Sequence, residues 1–158
     1  MALKYVKGNL VRDRAQFDVI GHQCNCFCNM GAGIAPQIKN AVPEAYVVDC
    51  KTQYGDKDKL GTISHTIEVV PTVVNLYGQY KYTRTDVDTN YDALKSSMEA
   101  MKEKFSGKKF GLPMLGAGLA GGNWNKISAI IEEVFDGEDM TIVVYEKNIL
   151  ELRRYNLI

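Results

Sequence analysis

Apolar residues along this chain fall into two patterns: short compact runs, and stretches in which they recur every three or four positions. The first predicts strands and the second helices. "LKYVKGN" (3–9) reads as a short strand ending at Gly8, and "FDVIGHQCN" (17–25) as a buried strand built on Val19 and Ile20. The segment 34–55 predicts helix on both sides of Pro43, with Pro36 tolerated in a first turn and Gly55 closing the segment. "LGTISHTIE" (60–68) and "TVVNLYGQ" (72–79) predict two strands joined by a short turn near Pro71. "NYDALKSSMEAMKEKF" (90–105) carries a helical stripe of Leu94, Met98, Met101 and Phe105 behind an asparagine cap. "KKFGLPML" (108–115) reads as a strand made irregular by Pro113. An amphipathic helix (123–135), a final strand (140–146) and a weakly helical tail follow. Strands alternating with helices predict an α/β fold with helices on both faces of a mixed sheet. With no linker, repeat or low-complexity tract, residues 1–158 are expected to form one domain, with 147–158 a short C-terminal extension.

Charge narrows the partners. Lysine plus arginine balance aspartate plus glutamate, 19 against 19. No net field draws the chain to nucleic acid or an acidic membrane surface, so neither is an expected partner. No apolar run approaches the length of a bilayer span, and "MALKYVKGNL" lacks the features of a secretory signal. The four cysteines, Cys24, Cys26, Cys28 and Cys50, are therefore expected as thiols, and the location as cytoplasmic.

The densest chemistry lies in "HQCNCFCNMGAGIA" (22–35). His22, Cys24, Cys26 and Cys28 share parity and would point one way on a strand, which raises zinc or redox chemistry. Structural zinc sites usually come as CxxC pairs, so small buried thiols are the favoured reading, and no metal or cofactor is expected. Glycine offers another reading. "MGAGIA" and "LGAGLAGG" each follow an apolar strand and precede a helix. Glycines let a ligand approach the backbone and turn its N–H groups inward, and the helix start behind adds partial positive charge. Two facing loops of this kind could cradle linked phosphates without lysine. Neither is a Walker motif nor a clean GxGxxG fingerprint.

"YVKGNL", "NxxxxMGAGIA", "NLYGQ", "NYDAL" and "LPMLGAGLAGGNW" followed by "IIEEVF" occur in the order seen in macro domains. The chain resembles the branch holding ADP-ribose 1″-phosphate phosphatases and terminal ADP-ribose protein glycohydrolases. The resemblance implies a three-layer α/β/α sandwich over one macro domain, binding ADP-ribose or its derivatives, including ADP-ribosylated protein. It places Asn9 at the adenine, its side-chain oxygen accepting from the adenine amino group, with Leu10 lining the adenine pocket, and Asn25 at the distal ribose. Gly31, Ala32, Gly33, Ile34 and Ala35 would cover the diphosphate and distal ribose. Gly116, Ala117, Gly118, Leu119, Ala120 and Gly121 would form the second phosphate loop. The implied activity is hydrolysis of a distal-ribose substituent, the alternative being a non-catalytic reader.

Two departures bear on mechanism. The glycohydrolases of this branch use a lysine at the strand end and an aspartate in the second loop, where this chain has Gln79 and Ala120. A covalent lysine route would lack its nucleophile and its acid, unless Lys81 were shifted into place. Asn25 positioning a water, with His22 as helper or as a core histidine, is the remaining catalytic set. Trp124 reads as a packing anchor, and Glu132 and Glu133 as a solvated face; Asp86 and Asp88 read as a mobile acidic loop, the alternative being that they approach the distal ribose. Alternation at the strand end should send Asn25 toward ligand and Cys24 and Cys26 toward the core.

Overall fold

The computed structural model describes residues 3–83, 87–117 and 120–145. Six strands form one sheet: β1 (Lys4–Gly8), β2 (Val19–Gln23), β3 (Ile63–His65), β4 (Thr72–Leu76), β5 (Lys109–Leu112) and β6 (Asp139–Tyr145). Four helices accompany them: α1 (Ala35–Ala41), α2 (Pro43–Cys50), α3 (Tyr91–Phe105) and α4 (Trp124–Val134). Pro43 opens α2, where its missing N–H costs nothing, and so divides two helices. The strand order is β1-β6-β5-β2-β4-β3, parallel throughout except for the edge pair β3 and β4. The expected strand over 60–68 shrinks to three residues because β3 pairs only through Ile63–His65.

Alternation along the strands builds two cores. Val74, Leu76, Met140, Ile142 and Val144 pack with Leu94 and Met98 of α3 and Ile127 and Ile131 of α4. Ile20, Val73 and Val143 face the other way, onto Ile38 of α1 and Ala45 of α2. Helices thus cover both faces of a sheet that buries both. Asn90 caps α3 by accepting from the Ala93 N–H, and Asn123 caps α4 by accepting from Asn125 and Lys126. Trp124 is an anchor, 1% exposed, meeting Tyr5 edge-on. Among the described residues no helix is long and apolar enough to cross a membrane. The tail from 146 lies outside them.

One expectation is overturned. Cys28 and Cys50 form a disulfide, their Cα atoms 5.4 Å apart, while Cys24 and Cys26 are buried thiols. Neighbours at i and i+2 cannot bridge, but the fold carries the end of α2 back to the loop after β2. The thiol-based ground for a reducing, cytoplasmic location falls with it.

Candidate functional site

β2 pairs with β4 along all five of its residues but with β5 only through Val19 and Ile20. Beyond Ile20 the two strands part, and the carboxyl ends of the parallel strands open into a cavity of about 410 Å³. That volume and that position suit a small-molecule site in an open α/β sheet. Much of its lining comes from residues at or shortly past the carboxyl ends of the parallel strands: Asn9 and Leu10 after β1, Cys24 and Asn25 after β2, Gln79 after β4, Pro113 to Gly116 after β5, with Tyr145 ending β6. Among the described residues no lysine or arginine lines it.

The structure brings together Asn9, Leu10, Asn25, Ala32, Gly33, Ile34, Ala35, Gly116 and Ala120 around this cavity. Gly31, Ala117 and Gly121 belong to the same two loops but do not border it, and Gly118 and Leu119 lie outside the described residues. Gly33 adopts φ +66° with open space where a Cβ would project. Among the described residues the N–H groups of Ala32, Gly33 and Ile34 have no acceptor. In the second loop, a Cβ on Gly122 would collide with the Gly116 carbonyl oxygen, which the Gly122 N–H approaches to 2.7 Å.

Both asparagines are engaged locally. Asn9 Oδ1 accepts from the Val11 and Arg12 N–H groups, each at 3.0 Å, so the oxygen assigned to the adenine amino group already closes a turn. Asn25 Oδ1 accepts from the Phe27 N–H at 2.9 Å, and its Nδ2 donates to the Asn29 carbonyl at 2.9 Å. Asn25 therefore shapes the loop as well as bordering the cavity.

His22 does not reach the cavity. It is fully buried, its Nε2 donating to Asn75 Oδ1 at 2.7 Å, because the Asn75 amide nitrogen is spent on the Ala45 carbonyl and Ser64 Oγ. Burial drives its pKa down to about 4, so the ring is neutral near pH 7. Its expected part as helper to an attacking water is corrected: the structure places it as the core histidine, bonded to a buried asparagine side chain rather than to backbone. Cys24 packs with Met30 and Tyr77, its sulfur 3.4 Å from His22 Nε2, and burial raises its thiol pKa well above the usual range. Such a thiol is inert at neutral pH. With Cys28 in a disulfide, the shared-parity set that suggested zinc is broken.

The opposite end of the cavity is polar. Gln23 Nε2 donates to Gln79 Oε1 at 2.9 Å and Thr89 Oγ1 at 3.1 Å, and Thr89 Oγ1 donates to the Gly116 carbonyl at 2.7 Å. Gln23 Oε1 is buried with no partner. Lys81 is exposed and outside the cavity, its carbonyl accepting from Gln79 Nε2. Asp88, read as part of a mobile acidic loop, is instead 9% exposed and held on three sides. Its carboxylate accepts from the Thr83 N–H at 2.6 Å and Thr83 Oγ1 at 3.0 Å, and its own N–H donates to the Ala120 carbonyl at 2.7 Å. Asp86 lies outside the described residues. Sequence reasoning missed Gln23, Asn29, Met30, Tyr82 and Tyr145 in the lining. Position at the carboxyl end of a parallel strand was the signal for Gln23 and Tyr145, and Asn29 and Met30 lie within the quoted glycine-loop stretch; nothing local marked Tyr82.

No protein-family profile matches the chain. It is 33% identical to an uncharacterised 17.5 kDa protein of Enterobacteria phage T4, over 92% of this chain and 98% of that one. It is 34% identical to ADP-ribose glycohydrolase OARD1 of Bos taurus, over 90% of each. An ADP-ribose 1″-phosphate phosphatase of Saccharomyces cerevisiae is 24% identical over 91% of this chain and 98% of its own length. Among solved structures, the macrodomain of Mycobacterium tuberculosis DarG superposes with a TM-score of 0.70 at 21% identity, over 90% of this chain and 96% of that one.

Proposed function

This chain belongs to the macro domain family, and from that premise we propose that its cavity binds ADP-ribose derivatives and hydrolyses a substituent on their distal ribose. The observation that carries the reading is a cavity at the strand ends that no lysine or arginine among the described residues lines, bordered by two glycine loops, one with three N–H groups that have no acceptor among those residues. Backbone donors of this kind hold a diphosphate. Leu10 and Val143, packed together beside Ile34, offer an apolar wall for the adenine. Asn25 stands toward the distal ribose, next to the polar end formed by Gln23, Gln79 and Asp88.

The substrates are a 1″-phosphate, an acyl ester or a protein ester of ADP-ribose. No step passes through a covalent lysine adduct, since Gln79 and Ala120 stand where that route needs its two groups. A bound water attacks instead, with Asn25 fixing the ribose. Residues 1–158 act as one macro domain, with 147–158 a short extension. The missing lysine and aspartate favour a second reading, a reader that holds ADP-ribosylated protein without turnover.

Isothermal titration should show one ADP-ribose site per chain. Gly33→Glu, which puts a strained backbone and a negative charge over the unpaired amides, should abolish it. Silence at millimolar ligand would overturn the site. A panel of ADP-ribose 1″-phosphate, O-acetyl-ADP-ribose and ADP-ribosyl-glutamate protein separates enzyme from reader: release of free ADP-ribose from any of them excludes the reader.

A further inference from the structure

We propose that Asp88 is the general base of this site, supplied from the loop after β4 in place of the acid that the second glycine loop lacks. The inference rests on the hydrolase reading above.

Three observations support it. Asp88 is the only carboxylate among the described residues lining the cavity. Its N–H donates to the carbonyl of Ala120 at 2.7 Å, so the carboxylate emerges beside the residue that leaves the second loop without an acid. It is also pre-oriented. Thr83 occupies part of both oxygens through its N–H and hydroxyl, at 2.6 to 3.1 Å. A carboxylate offers about four acceptor positions, which leaves room for a water on the cavity side.

The chemistry needs one base and no acid. Glycosidases use two carboxyl groups because a departing alkoxide must be protonated. An acyl carboxylate or a phosphate leaves as a stable anion, so one group suffices. In an ester carried at C1″, the water oxygen forms a bond to C1″ as one of its protons passes to Asp88. The C1″–O bond breaks with its electron pair remaining on the departing carboxylate. The water's second hydrogen stays on the new 1″-hydroxyl, and Asp88 returns its proton to solvent.

The test compares the native chain with Asp88→Asn and Asp88→Ala, using ADP-ribosyl-glutamate protein, an ester carried at C1″, and ADP-ribose 1″-phosphate for turnover and ADP-ribose for binding. Asp88→Asn keeps an acceptor for the Thr83 N–H and loses only the base. Its kcat should fall by about 10²–10⁴, with the ADP-ribose Kd within about threefold of native. Added formate should restore part of the turnover of Asp88→Ala. Asparagine turnover within about tenfold of native overturns the assignment. So does a joint loss of affinity and melting temperature without formate rescue, which would mark a structural pin. Native protein that binds ADP-ribose but turns over neither substrate overturns the base and spares the binding site; native protein that binds nothing overturns the site itself.

Discussion

An imidazole held neutral inside a protein makes folding sensitive to acid. The His22 pKa falls from 6.5 to about 4 on folding, chiefly through burial. Its neutral form is favoured in the fold, so this contribution is complete above pH 6.5 and is lost as pH drops toward 4. The loss is on the order of 3 kcal/mol by linkage. Asp49, whose carboxyl is raised by burial, works the other way and gains as pH falls, so a bulk melting curve mixes the two. The clean readout is NMR: the His22 ring should show no titration between pH 8 and 5. At Asn25, replacement by alanine removes bonds to Phe27 and Asn29 as well as any to ligand. Asn25→Ala should cost about 1–3 kcal/mol, visible as a lower melting temperature together with weaker ADP-ribose binding. A change in affinity alone would show that the loop does not need Asn25. The motif marked this residue; its loop partners were invisible, because a side chain's competing hydrogen bonds depend on backbone that the motif does not specify. The same blindness let Asn9 be assigned an oxygen that its own turn uses.

Among elements, the tie between the loop after β2 and the end of α2 carries the sharpest expectation. Cys28 and Cys50 close a loop across a sequence separation of 22, a constraint worth roughly 3 kcal/mol in the chain-entropy account. Denatured, unreduced protein should titrate two thiols and reduced protein four. Cys50→Ser should lower the melting temperature about as much as Cys28→Ser, and the double variant no further, since either single change opens the same link. Four thiols before reduction would refute the bond. At the start of α3, Asn90→Ala should cost about 1 kcal/mol, read by chemical denaturation, for loss of the acceptor to the Ala93 N–H. Strands and helices were legible because their apolar spacing is local and repeats. The disulfide was not: its partner is brought back by the turn of α2, a contact that no local pattern announces. Asp88 was legible only as the less favoured of two readings, since its polar surroundings in sequence resemble a solvated loop until Ala120 is folded against it.

For the whole molecule, the layered α/β class followed from alternation, but the order β1-β6-β5-β2-β4-β3 did not. That order seats the last described strand between the first and the fifth, its pairing with the first joining residues more than a hundred positions apart, such as Lys4 with Thr141. Sheet and helices share continuous cores on both faces, so denaturation should be a single transition, coincident by circular dichroism and tryptophan fluorescence. Separated transitions would divide the chain into more than one folding unit. The lining, which has no lysine or arginine among the described residues, also bears on how binding responds to ionic strength. Dissolved ions compete with exposed charge pairs and weaken them over a Debye length, but peptide dipoles turned inward inside a sheltered cleft offer them little to screen. ADP-ribose affinity should therefore shift by less than about threefold between about 50 mM and 500 mM sodium chloride. A lysine-built phosphate site would lose far more, so brine itself can report which atoms hold the diphosphate.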